Sequence, residues 1–430
     1  MKKLLIITLA VLFAAGAAYA VEYDYSGMIN TRGSYIDNSG SIAEKSYDYM
    51  YYDMEFDSTL NIKPTDQSLI RLNWEIHDEN FDVSPTDSED KTGDDNIAFK
   101  RAWGQYAFGN GWTTAFGLMT GGAFGTSFGD NANGYYRVRA DGTLSFGKIG
   151  FILEKTKENG PNGDSDWDAE KDDSDAYAAY LVTKAGDINL MFLLKYAQVG
   201  NATPLEADEQ DDPLGFEDEG SDIDVIAGVV AATGAFGSLG FEAEASFKDY
   251  TMEGDDVEQN GVVIIEDNRE DYTVYGLYGN VWMNMDAMKI GGILAYGSWD
   301  DDGEAGFGFG EDFGPGFWVM DWDTFGSTGL AEYYACTLAS VYADYSISDA
   351  LSLYGAFEYM WSNEEDTEWD GAEGFILNAS LSYKLADNVT YSVAGAYGQY
   401  KDGDWDDGNG DTYDDPDPFA RVFHKIQINF

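Results

Sequence analysis

The chain has 430 residues and a formal net charge of −55, from 79 acidic and 24 basic residues. This charge argues against nucleic acid as a ligand, and its size would oppose the folding of a compact soluble domain unless long solvated loops carried it. The lone cysteine, Cys336, excludes a disulfide framework, a cysteine redox pair and a cysteine-based metal site.

The first twenty residues have the pattern of a secretory signal. Lys2 and Lys3 precede an apolar run from Leu4 to Ala15, and Ala18-Tyr19-Ala20 supplies the small residues of a cleavage site. The run is short for a membrane-spanning helix, and no later stretch is long and apolar enough to be one. We therefore predict a signal peptide over 1–20 and one mature domain over 21–430.

The stretch from Met50 to His77 shows the alternation of a β-hairpin twice in succession. Apolar side chains take five of the six even positions from Tyr52 to Ile62, and after a reversal at Pro64 to Gln67 the same alternation resumes. The other face carries both signs of charge, which suits a water-filled lumen, and strands of roughly ten residues match a tilted bilayer crossing. A transmembrane barrel is favoured over the alternative, a soluble sandwich with an aromatic core.

Eight short reversals alternate along the chain with nine longer polar segments. The reversals are predicted near Pro64 to Gln67, Gly109 to Gly111, Gly147-Lys148, Ala185 to Asp187, Gly234 to Ser238, Asn284 to Ala287, Ser348 to Ala350 and Ala386 to Asn388. This spacing predicts an all-β fold, an antiparallel transmembrane β-barrel of about 18 strands with short periplasmic turns and long acidic extracellular loops; 16 strands is the alternative count. With the signal, the barrel indicates the outer membrane of a Gram-negative-type bacterium. The acid runs are interpreted as solvated repulsive faces, and loose binding of Ca²⁺ or Mg²⁺ is the alternative. We predict no other cofactor.

The last strand carries a further signal. Its apolar positions share one face with the terminal Phe430, and its polar positions share the other, with His424 the exception on the apolar face. An alternating strand that ends on an aromatic residue resembles the assembly signal of outer-membrane barrels. The segment from Arg101 to Leu118 is similar to the fourth strand, turn and fifth strand of the general Gram-negative porins.

The porin resemblance implies a homotrimer in outer-membrane lipid, and a connection after the fifth strand that folds into the lumen. In this sequence that constriction loop falls near 120–134 and contains Phe124, Phe128 and Asp130. Its glycines allow tight bends, and the two phenylalanines can wedge it against the wall. A flexible outer loop is the alternative interpretation of the same segment.

Six of the seven arginines fall on adjoining strands once the last strand closes against the first, and alternation predicts that all six point inward. They are Arg32, Arg71, Arg101, Arg137, Arg139 and Arg421. The arrangement resembles the arginine ladder of porins, whose forked donors can guide anionic groups. The alternative is that each arginine pairs with a neighbouring lumen acid such as Asp53, Glu75 or Asp141.

The two histidines, His77 and His424, lack the partners of a catalytic centre, so we predict no enzymatic activity. The function predicted is a passive channel for small hydrophilic solutes and ions, with a mild cation preference that weakens as salt is added. The alternatives are a channel selective for sugars, dicarboxylates or aromatic acids, and a plugged barrel serving as an adhesin or scaffold. The aromatic stretch from Trp299 to Gly329 is predicted to cap the pore or to stack on a solute.

Overall fold

The computed structural model describes residues 21–37, 48–82, 98–120, 124–129, 134–157, 174–199, 222–253, 257–259, 262–265, 271–301, 305–309, 313, 334–365, 367, 369–401, 403 and 418–430. The signal peptide predicted over 1–20 lies outside these ranges, as do Asp130 and most residues of the acid runs. No helix within them has the length and apolarity needed to cross a membrane.

Eighteen antiparallel strands close into a single barrel. They are β1 (Glu22–Asp37), β2 (Asp48–Thr65), β3 (Ser68–Asp82), β4 (Ala98–Ala107), β5 (Trp112–Thr120), β6 (Gly134–Leu144), β7 (Gly147–Lys157), β8 (Ser174–Ala185), β9 (Ile188–Val199), β10 (Asp222–Phe236), β11 (Leu239–Glu253), β12 (Tyr272–Met285), β13 (Met288–Gly297), β14 (Cys336–Ser346), β15 (Leu351–Ser362), β16 (Glu373–Ala386), β17 (Val389–Lys401) and β18 (Phe419–Asn429). Each strand pairs with its neighbour in sequence, and β18 pairs with β1, which closes the wall and leaves no sheet edge. The predicted fold class and the count of 18 are confirmed.

Seven of the eight short reversals lie where the sequence predicts them. The reversal predicted at Gly147-Lys148 is displaced to Ser145-Phe146, because Gly147 already pairs with Leu144 and Thr183 as the first residue of β7. Two small strand pairs occur within long connections. They are Val257–Gln259 with Val262–Ile265, and Trp299–Asp300 with Ala305–Gly306.

An apolar belt covers the outside of the barrel. Alternate residues of the strands are exposed and apolar, including Phe116 at 59%, Val138 at 50% and Leu294 at 60%. So large an apolar surface is unfavourable in water and favourable against hydrocarbon. The belt and the closed wall identify a membrane-spanning barrel of the outer-membrane type, and a single closed sheet rules out the sandwich.

Strand β18 places its two faces as the sequence predicts. Val422 and Ile426 are exposed on the outside, whereas Phe419 and Phe423 are buried on the inside. The ring of Phe430 lies 5.4 Å from the ring of Tyr25, and its backbone exchanges two 3.0 Å hydrogen bonds with Gly27. The terminal aromatic residue thus contributes to the seam between β18 and β1.

Candidate functional site

Three of the six inward-facing arginines pair with acids on the same wall. Arg32 Nε lies 2.8 Å from an Asp53 oxygen. Arg139 Nε lies 3.0 Å from an Asp141 oxygen, and Arg137 pairs with Glu154 on the adjoining strand. For these three residues, the structure supports the alternative of local pairing.

The other three arginines have different surroundings. Arg71 donates to the neutral amide oxygen of Asn61 at 2.7 Å, and its guanidinium lies 5.4 Å from the ring centre of Trp103. Arg101 on β4 is paired in register with Asn73 on β3. Arg421 is fully buried, 5.5 Å from the ring centre of Phe423. Arg421 is therefore enclosed by protein, whereas Arg71 is half-buried on the inner wall.

Two inner acids each hold more than one partner. Glu154 also accepts a 2.9 Å hydrogen bond from Lys195, and Asp141 also contacts Lys148 at 3.6 Å and the hydroxyl of Tyr180. Both carboxylates are almost fully buried. They neutralise the basic side of the lumen locally and fix its long side chains in place.

Replacing Glu154 with glutamine should destabilise the barrel by about 3 kcal/mol, because Arg137 is also buried and would lose its ionic partner. The measurement is the free energy of urea unfolding in detergent or lipid. Glu22→Gln is the matched control, because its ion pair with Lys63 is exposed and should contribute less than about 1 kcal/mol. Equal losses of unfolding free energy in Glu154→Gln and Glu22→Gln would contradict the larger stabilising role that is assigned to Glu154.

The segment 124–129 of the β5–β6 connection lies against the inner wall at β8, β11 and β12. The ring of Phe124 is 5.3 Å from that of Tyr180 on β8. Further along, Thr126 donates to one oxygen of Glu244 on β11, through its N–H at 2.6 Å and its hydroxyl at 2.9 Å. Gly125 has a φ of 107°, and a Cβ there would lie 2.3 Å from Glu244 Oε2, so glycine is required for this close approach.

Phe128 anchors the same segment in an aromatic cluster. Its side chain is fully buried and stacks on Tyr278 of β12 at 5.5 Å with an angle of 6°. Three rings from the β13–β14 connection surround it at centroid distances of 4.9 to 5.5 Å. They are Phe307, Phe309 and Phe313. Two long connections thus meet inside the barrel, and Gly276 beneath them leaves space that a Cβ would fill.

The prediction that the aromatic stretch from Trp299 to Gly329 stacks on a solute is wrong for Phe307 and Phe313, whereas its capping of the pore stays a prediction. Phe307 and Phe313 are buried against the inner wall and Phe128, so they are not exposed rings available to a passing solute. The reason is that apolar rings are more stable packed together than hydrated. The other aromatic residues of the stretch, Phe317, Trp318 and Trp322, lie outside the described residues.

One sector of the barrel is filled on the inside. Several inward residues of β14 to β18 are at most 3% exposed. They include Leu338, Met360, Ile376, Ala394 and Phe419. Trp369, from the β15–β16 connection, packs edge-on against Tyr400 at 5.7 Å and extends this core. Sequence reasoning missed the filled sector; the signal was apolar residues on both faces, as in Phe375-Ile376-Leu377.

The sector from β7 to β10 is open to a greater extent and has an unusual surface. Its inward side chains are half-buried and mostly apolar: Ile152, Val182, Met191, Leu193 and Val229. The inward apolar residues of β9 agree with the sequence pattern. Arg139 stands opposite Ile152 in register and Lys195 opposite Ala178, so cations border the apolar surface.

Metal binding has no support in the described residues, where no three His, Cys, Asp or Glu side chains are arranged around a common point. The acid runs proposed to bind Ca²⁺ or Mg²⁺ loosely fall mainly outside these ranges.

No family model and no curated protein matches the chain. Solved structures do match. OccK2 (OpdF) of Pseudomonas aeruginosa, in complex with glucuronate, is 7% identical with a TM-score of 0.55, covering 95% of this chain and 98% of that one. OccK11 (OpdR) of the same organism is 8% identical with a TM-score of 0.54, at 95% and 96% coverage. OpdK with vanillate, also from that organism, is 8% identical with a TM-score of 0.54, at 95% and 98% coverage. The chain has the closed barrel fold of the Gram-negative outer-membrane porins.

Proposed function

We propose that the protein is a passive outer-membrane channel whose water-filled path is displaced to one side of the barrel. The observation that supports this is the contrast between the two inner sectors. Many inward residues of β14 to β18, among them Leu338 and Met360, are buried in a packed core, whereas those of β6 to β10 include Arg139 and Lys195, with side chains 34% and 32% exposed. Small hydrophilic solutes and ions would pass along the second sector.

Recording in planar bilayers tests the channel itself. Purified protein should give discrete current steps, and reversal potentials in a salt gradient should indicate a mild cation preference that falls as salt is added. The absence of steps would favour a plugged barrel acting as an adhesin or scaffold. A preference for chloride at low salt would contradict only the predicted ion selectivity.

Paired cysteine variants test the position of the path. Ala178 on β8 and Ala394 on β17 are both inward-facing alanines, but Ala178 is half-buried and Ala394 is 3% exposed. A charged methanethiosulfonate should reduce the current of Ala178→Cys and leave Ala394→Cys unchanged. The native Cys336 is buried and serves as an unreactive background. Equal modification at both positions would rule out the displaced path.

A channel selective for organic acids with an apolar body is the second candidate. The cations Arg139 and Lys195 border the apolar surface of β7 to β10, so a carboxylate and a ring could be bound together. Two of the matching porin structures contain glucuronate and vanillate, both organic acids. Saturable current block by vanillate, with none by vanillyl alcohol, would favour selectivity; equal, non-saturating responses would favour the general channel.

A transport role and not catalysis is proposed for the lumen. Of the two histidines that could act as an acid or base, His424 faces outward, and the side chain of His77 lies outside the described part of the chain. Some carboxylates of the inner wall are bound to basic partners, as at Asp53 and Glu154. Such pairing suits a fixed channel wall.

A further inference from the structure

Lys248 on β11 carries a positive charge that no acid of the described residues neutralises. Its side chain points inward and is half-buried, and its ammonium lies 5.3 Å from the ring centre of Phe307. Within the described part of the chain it forms no ion pair and no hydrogen bond, whereas Lys148 and Lys195 each contact a carboxylate. An ammonium taken partly out of water is costly without an anionic partner. Lys248 therefore suits a site that binds an anion.

The neighbouring strands add a second cation, with a small residue between the two. The register of β9, β10 and β11 places Lys195 opposite Ala227, and Ala227 opposite Lys248. The two lysine Cα atoms are thus two strand spacings apart, about 10 Å, and only a methyl group lies between them. Lys195 donates to Glu154, but an ammonium has three donors, so the others are available to a ligand. Both side chains can reach one small anion above Ala227.

Two tyrosine hydroxyls add further donors next to Lys248. Tyr250 follows Lys248 by two residues on the same inward face, and Tyr272 on β12 is paired in register with Tyr250. Their rings stack at 4.4 Å with an angle of 18°, which orders both side chains. Both tyrosines are half-buried, and among the described residues neither hydroxyl has a hydrogen-bond partner. One stretch of wall thus carries ammonium and phenol donors that no protein acceptor uses.

These residues lie between segment 124–129 and the long connections. Strand β11 begins at Leu239, after a short reversal, and runs toward a long connection. Lys248 comes four residues after Glu244, which accepts from Thr126. At about 3.3 Å per residue, Lys248 is roughly 13 Å from that contact, on the side of the long connections. A solute that enters from that side meets Lys248 before it reaches the segment.

We propose that Lys248, Lys195, Tyr250 and Tyr272 form a binding site for a phosphate group, carried either by inorganic phosphate or by a phosphate monoester. The inference rests on the proposed channel, because the solute reaches the site through the open sector. A phosphate group has at least three oxygens that can accept from two ammoniums and two hydroxyls together, whereas a carboxylate has two. Its charge of about −2 near neutral pH also matches the two lysines.

Binding of inorganic phosphate to the full-length protein in detergent tests the site without requiring conduction. The dissociation constant is measured at low salt from the broadening of the phosphorus NMR line. Lys248→Met keeps an unbranched chain over Phe307 and removes the charge, so the constant should rise about tenfold. Lys148→Met is the matched control. Lys148 also lies over a ring, that of Tyr180 at 5.7 Å, but it pairs with Asp141, so the constant should change by less than about twofold.

A second variant keeps the test decisive if Lys248→Met does not fold. Tyr250→Phe combined with Tyr272→Phe removes both hydroxyls and keeps the stacked rings, so the constant should rise about fivefold to tenfold. Competition then identifies the solute. Displacement of phosphate by glycerol phosphate at lower concentrations than by added inorganic phosphate would assign the monoester, and the reverse order would assign the free ion.

The outcomes separate the site from the channel. Saturable binding that Lys248→Met weakens and Lys148→Met does not would support the site. Equal weakening in both variants, or broadening that does not saturate, would overturn the site and leave the channel in place. Displacement by benzoate as readily as by phosphate would overturn phosphate as the ligand class. Saturable binding in a protein that gives no current steps would mark a failure of the channel and not of the site.

Discussion

Phe128→Ala should widen the channel, raising the single-channel current and adding fluctuations between levels. The ring of Phe128 is fully buried among Tyr278, Phe307, Phe309 and Phe313, so its loss removes the main apolar anchor of segment 124–129. Truncating a buried phenylalanine costs about 3–5 kcal/mol. With that contribution lost, the segment should leave the wall for much of the time although its hydrogen bonds to Glu244 are intact.

Two comparisons make the expectation specific. Phe313→Ala should give the same phenotype from the other connection, because its ring packs edge-on against both Phe128 and Tyr278. Phe116→Ala removes an equal ring from the lipid face of β5, where it is 59% exposed, and should leave the current unchanged. An unaltered current in Phe128→Ala would show that the aromatic cluster does not hold the segment.

The outer surface of the barrel is predictable because lipid imposes one rule on every strand. Where a strand meets hydrocarbon, every second residue should be apolar, as at Leu72, Val138 and Phe241. The sequence therefore shows this alternation directly. The strand count follows from the same rule. His424 on the outer face of β18 departs from this rule, and that departure is visible in the sequence.

The inner surface is less predictable because it has no single requirement. Inward positions can carry paired charges, as Asp53 does with Arg32, or fill a core, as Met360 and Ile376 do. The alternation of side chains shows which residues face the inside of the barrel, but not whether that inside is filled with water or with packed side chains. The contacts of Phe128 with Phe313 and of Thr126 with Glu244 join segments far apart in sequence, so no local pattern predicts them. The sequence thus indicated the constriction segment, and the structure shows what it touches.

Glu244→Leu should release segment 124–129 from the wall by removing its hydrogen bonds. The carboxylate is 4% exposed and accepts from the N–H and hydroxyl of Thr126, and Ser246 donates to its other oxygen at 2.8 Å. Hydrogen bonds to a charged group contribute about 1.5–3 kcal/mol, so occupancy of a wide current level should rise about tenfold to a hundredfold. Single-channel dwell times give this ratio directly.

A double-mutant cycle isolates the contact. Thr126→Val keeps the N–H donor and removes the hydroxyl, so alone it should produce a smaller rise than Glu244→Leu. The two changes together should raise the wide-level occupancy by less than the product of the single effects, because they remove the same bond. Glu55→Leu is the control: this inward acid on β2 accepts from Asn30 at 2.7 Å, and no described residue of the segment touches it. Independent effects of the two substitutions would mean that the contact between Thr126 and Glu244 does not hold the segment. No effect of either substitution would mean that the aromatic cluster alone fixes it.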